Sequence, residues 1–129
     1  MTSLLSEELG TYLDELRVAY PAIEEIWLIG SRANNGVHAG SDWDFVAFAD
    51  EETCQQIEVE TRWHRADVDL LVVIDGDSFK RAWGKPKSGS LKEWSWKQNG
   101  PTSATYIGTK WSDDDEAWAE QVVKAVRVR

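Results

Sequence analysis

Cysteine is nearly absent from this chain of 129 residues, in which Cys54 stands alone. An intrachain disulfide is excluded, a reducing compartment fits better than a secreted one, and Cys54 reads as a buried, inert thiol. Long apolar stretches are missing too, so no segment is expected to span a bilayer and no membrane contact is expected. Between Met1 and Tyr20 the apolar residues are interrupted by Glu7, Glu8, Asp14 and Glu15, which excludes the apolar core of a signal peptide. These absences together predict a cytoplasmic protein. Positive charge is also scarce, with a formal net charge of −9 and a pI near 4.6. Duplex DNA is thereby an unfavoured partner, because binding it draws on neutralised phosphates. No internal repeat or low-complexity segment interrupts the chain.

What remains suffices for one domain, since a chain of this length buries a core without disulfide or metal staples. The few cations are unevenly placed. Lys80, Arg81, Lys85, Lys87, Lys92 and Lys97 face the single acid Glu93 over that stretch. A solvated loop and strand face explains the run, and contact with a polyanion is the alternative. The eight tryptophans, Trp27, Trp43, Trp63, Trp83, Trp94, Trp96, Trp111 and Trp118, are spread along the chain. That spread suits core and interface anchors better than one stacking platform.

Leu5, Leu9, Tyr12, Leu13 and Leu16 recur at helical spacing, with Ser3 or Ser6 available as the cap and Pro21 as the stop. A first strand is expected over Ile23 to Ile29, continuously apolar from Ile26 to Ile29 as burial on both faces requires, and it ends abruptly at Gly30-Ser31. A polar stretch from Arg32 to Ser41 leads into a second strand from Asp42 to Phe48. Residues Glu51 to Trp63 begin as a short helix, although Ile57 and Val59 also allow a strand. Val68 and Leu70 to Ile74 form a third strand, closed by the turn residues Asp75-Gly76-Asp77. Trp94 and Trp96, the Asn99-Gly100-Pro101 turn and Ala104 to Trp111 read as a hairpin. Ser112 with Asp115 then makes a capping box for a final helix carrying Trp118, Val122, Val123 and Val126. The expected fold class is α/β or α+β, helices covering one twisted sheet.

Three places carry chemistry. Glycine at position 30 lets the backbone approach a bulky anion, and a helical turn over Ser31 to Ala33 would aim N–H groups at it, with Arg32 nearby. Alone, a Gly-Ser pair after a strand is more often just a turn. Asp42 and Asp44 flank Trp43, and a strand's period of two puts both carboxylates on one face. Such a pair repels itself unless a cation joins it, and hard oxygen ligands suit Mg²⁺; taken alone, Asp-Trp-Asp favours a solvated strand end. Asp69 shifts that balance, because it lies among Val68, Leu70 and Leu71, where an unpaired charge is costly to bury. If the second and third strands are neighbours, Asp69 joins Asp42 and Asp44 in a cluster able to hold two metal ions about 3.5 to 4 Å apart. Asp67 shares that face and competes, although its polar setting favours a solvated role.

Together Gly30-Ser31-Arg32-Ala33, Ser41-Asp42-Trp43-Asp44-Phe45 and Val68-Asp69-Leu70 resemble the DNA polymerase beta-like nucleotidyltransferase superfamily, and more narrowly its minimal nucleotidyltransferase branch. The resemblance runs from Ile23 to Ile74, just over a third of the chain. It implies that fold's mixed twisted sheet with flanking helices, here with an added C-terminal hairpin and helix over residues 91–129, all within a single domain over residues 1–129. It also implies an enzyme that transfers a nucleoside monophosphate from a nucleoside triphosphate, ATP foremost, to a hydroxyl and releases pyrophosphate. Gly30 and Ser31 would hold the β- and γ-phosphates, with Arg32 assisting and Ser41 orienting the loop. Asp42, Asp44 and Asp69 would hold Mg²⁺, with Mn²⁺ as a substitute, and Asp69 would take the proton of the attacking hydroxyl.

Some positions depart from the pattern. Trp43 is larger than the aliphatic residue usual between the two acids, and Asn34-Asn35 replaces more basic residues before Gly36, which predicts a weaker grip on triphosphate. The extra helical domain with which larger members of that superfamily shape the acceptor pocket is not expected here, so Trp94, Trp96, Tyr106 and Trp111 or a second subunit would do so. A second class of function therefore stays open, an antitoxin-like binding module that neutralises a helical partner of the HEPN type. A homodimer is a further partner reading, and a metal-dependent phosphohydrolase a third functional one.

Overall fold

The computed structural model describes residues 5–34, 42–112, 114 and 116–129. Helix α1 (Glu7–Ala19) starts where Ser6 Oγ accepts the Leu9 N–H at 3.2 Å, and its heptad-like apolar positions Leu9, Leu13 and Leu16 are buried. It stops before Pro21. Strand β1 (Glu25–Ile29) follows, then a three-residue 3₁₀ turn (Ser31–Ala33) and strand β2 (Trp43–Phe48). Asp50 caps helix α2 (Glu51–Val59) by accepting the Thr53 N–H at 2.8 Å. That cap and the acidic first turn decide the segment as helix, where Ile57 and Val59 also allowed a strand. Strand β3 (Val68–Val73) then runs parallel to β2, the arrangement that a helical crossover permits.

The remaining strands are β4 (Ser78–Arg81), β5 (Ser88–Ser90), β6 (Lys97–Gln98), β7 (Ser103–Ser112) and β8 (Ala117–Arg127). All join one eight-stranded mixed sheet in the order β5-β4-β3-β2-β1-β8-β7-β6. Both faces of its centre are covered, which is why β1, β2 and β3 read as unbroken apolar runs. On one face Ile26, Leu28, Phe45, Ala47, Leu70 and Val72 pack under α1 and α2. Burying a leucine such as Leu13 or Leu16 there contributes about 1.5 to 3 kcal/mol. Cys54 lies in this layer, where burial pushes its thiol up to about 11, as an inert thiol requires.

The other face carries Trp27, Ile29, Val46, Leu71, Val73 and Phe79. Its cover is the chain between β5 and β6, which lie at opposite edges of the sheet. Leu91 N–H is fixed to Asp77 O at 2.8 Å, and Ile107 N–H reaches Trp94 O at 2.7 Å. Trp94 and Trp96 descend from this crossing segment, Trp96 meeting Trp27 edge to face at 5.3 Å.

Several expectations for the second half need correction. The final helix is not a helix. Residues 117–127 form β8, paired with β7 through ten register positions from Ser103↔Val126 to Ser112↔Ala117 and with β1 at Trp27 and Leu28. The valines at 122, 123 and 126 suit a pleated surface better than a helix, and long-range pairing outweighs the cap signal. Of that capping box, Asp115 lies outside the described residues. Trp94 and Trp96 do not form the first arm of the hairpin, which is only Lys97–Gln98; the Asn99-Gly100-Pro101 turn does join it to β7. No helix among the described residues is long and apolar enough to cross a membrane.

Candidate functional site

At the end of β1 the backbone of Gly30 has φ 72° and ψ −157°, a conformation open essentially to glycine alone. Antiparallel register sets Ile29 opposite Asp44, so the Asp44 carboxylate lies against the Gly30 backbone. A side chain at position 30 would place its Cβ 3.2 Å from Asp44 Cγ and inside the contact distance of Oδ2. The expected helical turn forms over Ser31–Ala33, closed by Ala33 N–H to Gly30 O at 3.1 Å. The Gly30 N–H itself donates to the hydroxyl of Tyr106, on β7, at 3.0 Å.

Asn34 ties this turn to β8. Its side-chain amide donates to Gly30 O at 2.8 Å and Lys124 O at 2.9 Å, while Oδ1 accepts the Lys124 N–H at 2.7 Å. The residue thus pairs with Lys124 as a backbone unit would, which explains an asparagine where a basic residue was expected. Asn34→Ala is expected to lower stability by about 1 to 2 kcal/mol, since these bonds are partly solvated. Urea denaturation measures this, and a change within about 0.5 kcal/mol would contradict the tether.

The parallel pairing of β2 with β3 puts Asp44 directly opposite Asp69. Both share the face of Val46, Leu71 and Val73 and line one cavity of about 490 Å³ with Lys87, Trp94, Tyr106 and Glu120. Asp42 precedes β2 and is exposed, yet its charge reaches Asp44. Burial first, then Asp69, then Asp42 push the Asp44 carboxyl from 3.8 up to about 6, while Lys87 and, more weakly, Arg81 oppose the rise. Among the described residues no set of three His, Cys, Asp or Glu side chains is gathered closely enough to hold a metal ion together. The structure thus opposes two of the predicted acids and leaves the third at the strand's entrance.

Asp69 carries a partner that sequence reasoning missed. Arg81 Nε and Nη2 reach its two oxygens at 2.8 and 2.9 Å, and Arg81 Nη1 reaches Lys85 O at 2.7 Å. Arg65 engages Asp67 in the same two-pronged way, both bonds at 2.9 Å, and this hydrogen bonding pulls the Asp67 carboxyl below its ordinary range. Arg65 also bonds Glu8 of α1 at 3.1 Å, so Asp67 serves the fold. Arg32 stacks on Trp43, its guanidinium carbon 4.0 Å from the ring centre. Trp43 packs with the helix-covered layer, parallel to Phe45, and this stacking draws Arg32 toward that face. Ser41 and Gly36 lie outside the described residues.

Two more cavity residues were half legible. Tyr106 stacks with Trp94 at 5.4 Å and Trp96 at 6.0 Å, so three of the four expected aromatics meet, with Trp96 as backing, while the Trp111 side chain lies outside the described ones. Lys87 belongs to the basic run read as a solvated face. Its Nζ lies 5.6 Å from the Trp94 ring centre, on the cavity wall.

No protein-family model matches the chain. No curated protein sequence matches it either. Among solved structures it is similar to a protein from Sulfolobus solfataricus described as a "putative nucleotidyltransferase", with 23% identity and a TM-score of 0.44. The match covers 53% of this chain and 65% of that protein's length.

Proposed function

We propose that this chain is a metal-dependent nucleotidyltransferase whose centre is Asp44 and Asp69 beside the Gly30-Ser31 turn. The observation that carries this reading is the opposition of these acids across adjacent parallel strands, in a cavity where Asp44 keeps its proton up to about 6. Repelling carboxylates in a half-buried cavity fit a divalent cation, which would relieve the repulsion. Arg81 does not close Asp69 to it, because a carboxylate offers about four lone-pair positions and Arg81 takes two. Asp44 and Asp69 would hold the metal, Mg²⁺ foremost, with Asp42 adding its charge from the strand's entrance. Bound there, it would neutralise the triphosphate and its leaving group.

In the proposed reaction a hydroxyl oxygen of the acceptor bonds to the α-phosphorus of the nucleotide, ATP foremost. The bond to the β-phosphate oxygen breaks, pyrophosphate leaves, and the hydroxyl proton passes to Asp69. Gly30 would allow close approach, and the Ser31 hydroxyl would bond the phosphates.

ATP with Mg²⁺ is expected to raise the melting temperature, a hundredfold excess over Kd being worth about 2.7 kcal/mol. Label from an α-phosphate-labelled triphosphate should pass to an acceptor in lysate, and the γ-label should appear as pyrophosphate. No melting shift and no transfer would sink the reading. A second reading, a module that neutralises a helical protein of the HEPN type, draws on apolar residues left exposed on both helices, Val18 at 82% and Val59 at 77%. Label that never leaves the nucleotide while such a partner co-purifies would favour it.

A further inference from the structure

The proposed function requires a triphosphate beside Gly30-Ser31, yet the groups expected to grip it are largely committed within the chain. Gly30 N–H is held by Tyr106, Arg32 stacks on Trp43, and the Asn34 side chain bonds Gly30 and Lys124. The cavity itself is acidic, lined by Asp44, Asp69, Glu93 and Glu120. Metal ions would offset the two aspartates, but a triphosphate carries further negative charge that needs a cation of its own.

The β4–β5 hairpin supplies one. Arg81 N–H bonds Lys87 O at 2.9 Å and closes the hairpin, while the Arg81 side chain grips Asp69 and Lys85 O. This bracing fixes Lys87 beside Arg81, whose register partner on β3 is Leu71, two residues on from Asp69. Among the described residues Lys87 is the one lysine or arginine lining the cavity, with its ammonium on the Trp94 ring side. The side chain is solvent-exposed, so a ligand can reach it.

We propose that Lys87 binds the triphosphate tail of the nucleotide, with Arg81 as the positioning residue that holds its hairpin against Asp69. The proposal rests on the nucleotidyltransferase reading. It assigns to a later hairpin the cation that Arg32, stacked on Trp43, does not place on the cavity wall.

The test titrates ATP and AMP into the protein with Mg²⁺ and no acceptor. Lys87→Gln is expected to weaken ATP about tenfold or more, as loss of a charge-assisted hydrogen bond implies, and AMP much less. Its ATP affinity should depend less on salt than that of the wild type. Lys87→Arg should keep most of the affinity, and Lys85→Gln all of it. Independently, Mg²⁺ with ATP should protect Lys87, and not Lys85, from acylation of the wild type. Wild-type ATP binding that Lys87→Gln leaves unchanged, with no protection of Lys87, overturns this inference and spares the functional reading. A wild type that binds no ATP overturns both.

Discussion

Asp44→Asn is expected to make the ligand-free protein more stable at pH 8 while removing its response to Mg²⁺ and ATP. The carboxyl is raised from 3.8 to about 6, chiefly by burial and then by Asp69 and Asp42. Below about pH 3.8 the acid is protonated whether the chain is folded or not. Between 3.8 and about 6 the folded chain keeps a proton that the unfolded chain has released, so this group's contribution to stability falls as pH rises. Above about 6 the loss is complete, at most about 3 kcal/mol at roughly 1.4 kcal/mol for each pH unit, and less because solvent screens this half-buried group. Asparagine never ionises and escapes that cost. Its amide needs partners of its own, so a net gain of about 1 to 2 kcal/mol is expected at pH 8, and little or none at pH 5.

In melting temperature, a gain of that size in a chain of 129 residues is several degrees. Scans of both proteins at pH 5 and pH 8, with and without Mg²⁺ and ATP, make the test. A variant destabilised equally at both pH values would mean that the Asp44 charge is already compensated within the chain, and the case for a cation there would fail. A gain at pH 8 with lost nucleotide response is what a site that sacrifices stability for binding produces.

Much of this was legible because local pattern and global fold agree where the acids sit. The apolar runs of β1, β2 and β3 could only belong to the middle of a covered sheet, and Asp69 inside one of them was a conspicuous exception. Its register with Asp44 follows once those two strands are neighbours. What stayed hidden depends on distant partners. Nothing near Asp69 indicates Arg81, whose grip requires β4 to fold back after Asp75-Gly76-Asp77. The same fold-back turns Lys87 from one cation in a surface run into part of the cavity wall. The final segment misleads for a related reason, since Trp118, Val122 and Val126 mark a helical stripe while Ala119, Gln121, Val123 and Ala125 alternate as one face of a strand. Only the long pairing with β7 and the contact with β1 decide between them. Those contacts bring Tyr106 and Lys124 to the Gly30 turn, so misreading the last element also hid two neighbours of the site.

Gly30→Ala should be the most damaging glycine-to-alanine substitution among the described residues. Two costs combine there. The backbone angles of φ 72° and ψ −157° strain any residue with a Cβ by about 1 to 3 kcal/mol. The new Cβ also meets the Asp44 carboxylate, which cannot retreat freely because β1 and β2 are locked in register from Glu25↔Phe48 to Ile29↔Asp44. Together about 3 kcal/mol or more is expected by urea denaturation. Gly76 provides the comparison, since its φ of 82° is also positive but a Cβ there meets nothing within 4 Å. Gly76→Ala should therefore cost only the strain, about 1 kcal/mol. The clash itself can be isolated by a cycle with Asp44→Ala, which removes the carboxylate that the methyl group strikes. Gly30→Ala should then cost less in the Asp44→Ala background than in the wild type, by about 1 kcal/mol or more. Additive effects, within about 0.5 kcal/mol, would mean that the carboxylate does not lie against the turn. The triphosphate would then lose the adjacency on which the proposed reaction depends.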